Sequence, residues 1–249
     1  MPDFRGNEGF WRAYPPYKKL GLGFSSLANP KWFANDPEFA WGFYGHRLEL
    51  CRKTTPHAGF GILRELTKRM AHGSFVFTSN VDGQFQRAGF EPGRIVECHG
   101  VIDFMQCTKG CGIGIFSADP FHIEVDVETF RAKVPLPACP RCGGLARPNI
   151  LMFGDWFWDG TRSSAQEAAL QQWIDGLPKE VRGHLVVIEC GAGTAIPTVR
   201  HLSEQVAAAF GGLLVRINVR ESDVPEGQIG LPLGAKEALI EIAQRMQVA

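Results

Sequence analysis

Four of the seven cysteines fall into two short pairs, Cys107-Thr-Lys-Gly-Cys111 and Cys139-Pro-Arg-Cys142-Gly-Gly, with 27 residues between them. Two such short loops bring four thiolates to one tetrahedral zinc ion with little backbone strain. The chain must therefore fold so that residues 107–111 and 139–142 converge. The surrounding stretch, 101–150, also carries five prolines, many glycines and few helix signals. It reads as a small zinc-binding module inserted between residues 1–100 and 151–249. With four protein ligands and no open coordination position, the zinc is expected to be structural; the alternative is a set of buried or redox-active thiols. An odd cysteine count with close pairs speaks against a secreted disulfide framework.

Outside the module, apolar strands alternate with helices. Asp36-Pro37 has the form of an N-cap followed by proline at the first helical position and opens a helix to about residue 52. A second helix is expected from Thr55-Pro56, through Ile62, Leu63, Leu66 and Met70, to a stop at Gly73. A strand over 74–78, a short helix over 85–88 and a strand over 95–98 follow. Residues 148–155, ending in Phe153-Gly154-Asp155, are expected to form a strand returning to the main sheet. Further on come a helix over 164–177, a buried strand over 185–188, a helix over 197–210, a strand over 213–219 and a terminal helix over 235–247. This order implies an α/β fold, a parallel sheet covered by helices on both faces. The first 34 residues, rich in Gly, Pro and aromatics, read as a long loop with short turns.

With 26 basic and 26 acidic residues the formal net charge is zero, which gives no electrostatic footprint for nucleic acid or an anionic membrane. No apolar run approaches the roughly 18–20 residues needed to cross a bilayer. The first residues, MPDFRGNEGFW, have neither the charged nor the apolar region of a signal peptide. A cytoplasmic protein with no nucleic-acid or membrane partner is the expectation.

Residues 78–100 concentrate the polar chemistry. Asn80 and Asp82 follow one apolar run and His99-Gly100 follows another, so strand ends deliver an amide, a carboxylate and an imidazole to one edge of a sheet. Open α/β sheets bind ligands outside the carboxyl ends of their strands, and histidine is suited to proton transfer near neutral pH. The competing reading is a turn with a surface histidine. Cys98 and His99 do not read as a nucleophile pair, because neighbours on a strand point to opposite faces; Cys51, Cys98 and Cys190 are expected to be small core hydrophobes. Gly191-Ala192-Gly193 sits between a strand and a helix, where a phosphate or ribose meets a helix N-terminus, or where the chain simply turns tightly. Asn218, ending the next strand, falls at the same edge, as a ribose contact or a strand-ending residue.

Taken together, these residues closely resemble the sirtuins, NAD-dependent protein deacylases. Pro2-Asp3-Phe4-Arg5-Gly6 with Gly9-Phe10-Trp11 is similar to the family's cofactor loop; Thr78-Ser79-Asn80-Val81-Asp82-Gly83 with Ala88-Gly89 is similar to its T-Q-N-I-D-G…A-G motif. Cys98-His99-Gly100 matches the H-G of the catalytic histidine, and the four cysteines followed by Arg147-Pro148 and Phe153-Gly154-Asp155 match the zinc ribbon and the R-P…F-G-E segment. The resemblance implies a Rossmann-like NAD-binding domain (1–100 and 151–249) and a zinc module (101–150). NAD and an acylated-lysine protein or peptide would meet in a cleft between them.

It further implies residue roles. Asn80 and Asp82 hold the nicotinamide carboxamide, and His99 is the general base on a ribose hydroxyl. Asp3, Phe4, Arg5, Ser79, Gly191, Gly193, Thr194 and Asn218 contact the cofactor. Phe153, Gly154 and Asp155 pair with the substrate peptide, and Cys107, Cys111, Cys139 and Cys142 hold structural zinc. The aromatic run Phe153-Gly-Asp-Trp156-Phe157-Trp158 is expected to line an acyl tunnel or to cover the sheet edge.

Several positions depart from the family. Ser79 replaces a glutamine, Phe85 stands where a histidine is usual, and Gly191-Ala192-Gly193-Thr194 replaces a G-T-S turn. In the family a first strand and a G-A-G-x-S loop, which cradles the pyrophosphate, precede the segment at which this sequence opens. Their absence would open two edges in the middle of a parallel sheet, so Met1 is expected to be an internal residue of a longer reading frame; the alternative is a truncated chain that keeps the fold poorly and binds NAD weakly or not at all. The functional alternatives are a non-catalytic NAD- or ADP-ribose-binding module and an ADP-ribosyltransferase.

Overall fold

The structure, a computed structural model, describes residues 18, 21–126 and 128–247. In chain order the elements are helices α1 (Phe24–Leu27), α2 (Lys31–Asn35), α3 (Pro37–Lys53) and α4 (Ala58–Lys68), then strand β1 (Val76–Thr78), helix α5 (Gln84–Arg87) and strands β2 (Ile95–Glu97), β3 (Gly100–Cys107), β4 (Ile115–Ser117) and β5 (Ala146–Ile150). They continue with α6 (Thr161–Asp175), β6 (Val186–Cys190), α7 (Thr198–Phe210), β7 (Leu213–Ile217), β8 (Ile229–Leu231) and α8 (Ala235–Arg245).

The chain divides into two compact units. Unit 1 holds the residues up to Thr54, Asn80–Gly83 and His99–Ser164; unit 2 holds Thr55–Ser79, Gln84–Cys98 and the residues from Ala165 onward. The stretch 101–150 lies wholly within unit 1.

Unit 1 is built on a three-stranded antiparallel sheet in the order β4-β3-β5 and on α3. The α3 helix starts where the sequence placed it, the Asp36 carboxylate accepting from the Phe39 N–H at 3.3 Å, with Pro37 in the first turn. Arg131 grips the same carboxylate at 2.6 and 3.0 Å and holds its pKa below the usual range. Seven consecutive residues, Phe39 through Gly45, are buried, so the helix is covered all round rather than along one stripe. Two glycines make that possible: a Cβ on Gly42 would run into the Phe130 carbonyl, and one on Gly45 into the Ile123 side chain. Trp41, fully buried, donates its indole N–H to the Ala146 carbonyl of β5 at 3.0 Å. Phe43, Tyr44, Leu48, Ile102, Met105 and Ile150 complete the core.

Residues 148–155 do not return to a parallel sheet, contrary to the sequence reading. The strand is β5, two residues earlier, and it pairs antiparallel with β3, Gly100 opposite Ile150 and Cys107 opposite Ala146. Its five residues are all buried. With Arg147, Pro148 and Asn149 in a run flanked by apolar residues, hydropathy alone gives no direction to such a strand.

Unit 2 contains the parallel pairing expected of an α/β protein, in two separate sheets: β1 with β2, and β6-β7-β8. Among the described residues β1 and β6 are each end strands. A cavity of about 460 Å³ lies alongside Phe77 of β1, lined also by Leu170 and Ile174 of α6 and by Pro197, His201 and Leu202 of α7. The exposure of Val186 and Cys190 corrects the expectation of a buried strand and of Cys190 as a core residue. Cys51 and Cys98 are buried, as expected. β8 was not foreseen, since its three residues Ile229-Gly230-Leu231 are too short for a visible period. The α4 helix begins two residues after Pro56, where His57 Nδ1 accepts from the Gly59 N–H at 3.1 Å. Its apolar side, Ile62 and Leu63, packs with Leu239 of α8 against Ile217 of β7.

The strongest polar anchor of unit 2 is Arg216, in β7 and 1% exposed. Glu189 of β6 accepts from it at 2.6 and 3.0 Å, Glu204 of α7 at 2.8 Å, and the Asp223 carbonyl at 2.6 Å. A buried guanidinium is tolerated because every side of it meets an acceptor.

Trp41→Ala is expected to destabilise the protein by about 3–5 kcal/mol, read as a lower urea midpoint at unchanged slope. A change under about 1 kcal/mol would contradict the packing described for α3.

Candidate functional site

Asn80, Asp82 and His99 all belong to unit 1. The turn that carries the first two is fixed by Ile102, whose N–H donates to the Val81 carbonyl at 2.9 Å. Asp82 is buried and Asn80 exposed. His99, half-buried, sits at the start of the β3–β5 ladder, its carbonyl accepting from the Leu151 N–H at 2.9 Å. Gly100 is required here. Its φ is +72°, which L side chains rarely adopt, and a Cβ would strike the Asn149 carbonyl of β5. The tight approach of β5 thereby sets the backbone from which His99 projects.

The segment after β5 leaves the sheet through Met152 and Phe153, the latter's N–H donating to the Ala28 carbonyl at 2.9 Å. Gly154 turns with φ +68°. Asp155 has no exposed side chain; Arg147 of β5 donates to both its oxygens, at 2.7 and 3.0 Å. Its carboxylate thus points into the unit, leaving Phe153 and Gly154 as the surface of the segment. Gln106 and Asn149 continue the same network, Asn149 donating to Gln106 at 3.0 Å and to the Asp159 carbonyl at 2.8 Å, and Gln106 donating to the Phe157 carbonyl at 2.8 Å. Trp156 and Phe157 are 92% and 88% exposed on this pinned backbone, so within unit 1 they neither line a closed tunnel nor cover the sheet edge.

At the far end of β3, the four sulfurs of Cys107, Cys111, Cys139 and Cys142 lie within 4.8 Å of one another. Cys107–Cys142 and Cys111–Cys139 are each 3.6 Å apart. Zn–S bonds of about 2.3 Å in tetrahedral array put the sulfurs about 3.8 Å apart, whereas a disulfide requires about 2.05 Å. The donor set therefore fits a zinc ion and not two disulfides. Gly110, Gly112 and Gly143 supply the positive φ angles of the knuckles. Burial pushes the Cys107 thiol up, but the Cys111 and Lys109 backbone N–H groups and the Cys142 and Cys111 thiols outweigh it and bring it down to about 7. Such a thiol is ready to ligate as thiolate.

The remaining candidates lie in unit 2. Ser79 is half-buried just past β1. Gly191 follows β6 with φ +69°, its N–H donating to the Ile217 carbonyl at 2.8 Å. Asn218, 3% exposed, donates to the Ala192 carbonyl at 2.8 Å and accepts from the N–H groups of Arg220 and Glu221 at 3.0 and 3.1 Å. Arg200 adds bonds to the Ala192 and Glu221 carbonyls at 3.3 and 2.9 Å. Glu221 was not foreseen: its carboxylate accepts from the Thr194 hydroxyl at 2.5 Å and from the Thr194 N–H at 3.2 and 3.4 Å. The available signal was an acidic residue just past the strand-ending Asn218. Asp3, Phe4 and Arg5 lie outside the described residues.

A family model described as the Sir2 family matches residues 1–190. The chain is similar to NAD-dependent protein deacylase 1 of Archaeoglobus fulgidus, 28% identical over all of this chain and 88% of that protein. It is also similar to NAD-dependent protein deacylase 2 of Pyrobaculum aerophilum, 31% identical over 99% of this chain and 85% of that one. Among solved structures, a Sir2 homologue in complex with NAD superposes with a TM-score of 0.71 at 25% identity, covering 99% of this chain and 83% of that one.

Metal analysis is expected to find one zinc per chain, lost in Cys139→Ser, with chelation loosening unit 1 in circular dichroism. Four titratable thiols in a metal-free, fully folded protein would contradict the site. Gly100→Ala is expected to lower stability by more than about 2 kcal/mol, from strain at positive φ and overpacking; an unchanged urea midpoint would show that β5 does not approach His99 as described.

Proposed function

The chain belongs to the Sir2 family, and on that premise we propose that it removes an acyl group, such as acetyl, from protein lysine. The cosubstrates are NAD and water, and the products are nicotinamide, O-acyl-ADP-ribose and the free lysine. The observation that carries this reading is local to unit 1: the Val81 and His99 carbonyls accept from the N–H groups of Ile102 and Leu151, which fixes the Asn80-Asp82 turn and His99 to one sheet.

NAD supplies the leaving group, nicotinamide, and the ribose carbon that the acyl oxygen attacks. Asn80 and Asp82 hold the carboxamide out of the plane of its ring, which favours the bond-breaking geometry over the ground state. His99 takes the proton from a ribose hydroxyl so that this oxygen can attack the captured acyl carbon. Phe4 shields the reacting face from water and Arg5 positions the cofactor. Ser79, Gly191, Gly193, Thr194 and Asn218, with Asp3, contact its remaining parts. Phe153 and Gly154 offer backbone to an extended acyl-lysine peptide as an added strand, and Asp155 keeps them in place through Arg147. The four cysteines would hold a zinc ion with protein thiolates alone, so it would serve structure and supply no reacting water.

No helix among the described residues is long and apolar enough to cross a membrane. Four clustered thiols at metal-site spacing suit a reducing compartment, and we place the protein in the cytoplasm on that ground.

Nicotinamide release should require both NAD and an acyl-lysine peptide, and His99→Ala should slow the formation of O-acyl-ADP-ribose and deacylated peptide by on the order of 10²–10⁴-fold. O-acyl-ADP-ribose formation unaffected by His99→Ala would sink the proposed role. Tight ADP-ribose binding without turnover would point to a non-catalytic module, and nicotinamide release without deacylated peptide to ADP-ribosyl transfer.

A further inference from the structure

Of the aromatic residues in the run 153–158, the proposed reaction uses only Phe153. Trp158 is accounted for by packing: it is half-buried, and its ring lies over Gly160, where a Cβ would stand 3.0 Å from it. Trp156 and Phe157 stand out in solvent, 92% and 88% exposed. Adjacent large aromatic side chains left bare on a protein surface mark a binding surface. Their backbone is not a loose tip. The Phe157 N–H donates to Asp155 at 3.3 Å, the Phe157 carbonyl accepts from Gln106 and the Asp159 carbonyl from Asn149, each at 2.8 Å, and Arg147 of β5 clamps Asp155. Two aromatic rings on a fixed backbone need little further ordering to bind.

Trp156 lies two residues beyond Gly154, so the rings begin within about 7 Å of chain from the backbone offered to the peptide as an added strand. A peptide paired there sets alternate side chains on one face, which carries a residue close to the acyl-lysine past the rings. We infer that Trp156 and Phe157 bind a large apolar side chain of the substrate flanking the acyl-lysine, and so set which lysines are accepted. This rests on the deacylase reading above and adds a sequence preference to it. The chemistry favours an apolar group. Such a side chain takes its own surface and that of both rings out of water. A cation over water-exposed rings gains little, and the carboxylate beside Trp156 in the chain, Asp155, is already paired with Arg147. The contact lies away from the reacting atoms and is the same in the ground and transition states, so the preference falls on KM and not on kcat.

The test is steady-state deacylation by the full chain at saturating NAD. The substrates are acetyl-lysine peptides with alanine flanks, into which a single Phe is placed in turn at each of the three positions before and after the acetyl-lysine. At least one Phe position should lower KM by about ten-fold or more, equivalent to about 1.4 kcal/mol, at unchanged kcat. Arg at the same position should lower it by less than about three-fold. The double variant Trp156→Ala, Phe157→Ala changes only exposed side chains, which leaves the fold intact, and should bring the Phe and all-alanine peptides within about three-fold of each other in KM. Phe peptides that all match the alanine peptide overturn the assignment and leave the deacylase reading standing. So do a preference kept by the double variant, a preference for Arg over Phe, and a preference expressed in kcat alone. Deacylation of none of the peptides by the native protein removes both.

Discussion

The antiparallel pairing of β3 with β5 is the constraint on which unit 1 depends. At one end of the ladder Gly100 lies opposite Ile150, with His99 and Leu151 bonded just beyond; at the other Cys107 lies opposite Ala146, with both cysteine knuckles attached. The zinc-ligand cluster and the proposed base are therefore two ends of one piece of sheet. Trp41 clamps the same ladder from the helix side through the Ala146 carbonyl. Close approach at Gly100 and full burial of β5 tie both ends to the same buried strand, across a shift in register between Gly100 and Met105. A structural metal can in this way support chemistry it never touches.

Each unit holds a buried bidentate ion pair: Arg147 with Asp155 in unit 1, and Arg216 with Glu189 in unit 2, the latter joined by a single bond to the part-exposed Glu204. Breaking such a pair leaves a lone buried charge, which costs more than the pair itself contributes. In each case the pair fixes a loop at the margin of a proposed binding surface. Arg147 holds the turn after Phe153, and Arg216, with its bond to the Asp223 carbonyl, holds the loop that carries Glu221. The rigidity of these loops lowers the ordering cost of a ligand that lies on them.

Much of this was legible in the residues. Asp36-Pro37 announces α3 because the cap and the fixed proline φ act locally, and the cysteine spacing announces a metal cluster because zinc geometry is specific. The alternation of apolar runs and helical spacing from 185 onward announces parallel pairing. What could not be read is set by distant partners. The direction of β5 depends on β3, about forty residues earlier and chosen through the fit at Gly100. The inward turn of Asp155 depends on Arg147, and the exposure of Cys190 on what lies beside β6. Glu221 escaped notice for a similar reason, since its partner Thr194 is brought to it only when β6 and β7 pair. The motif residues of the proposed reaction were visible in the chain; the contacts that support them were not.

The central claim is that the acyl group passes to the ribose of NAD instead of to water. It is tested most directly with an acyl-lysine peptide whose acyl carbonyl oxygen is isotopically heavy, followed by mass spectrometry of the products. If the acyl oxygen attacks the ribose carbon, the label is found on the ribose of O-acyl-ADP-ribose, formed in step with nicotinamide and deacylated peptide. Label in a free carboxylate, with NAD unchanged, would contradict the account.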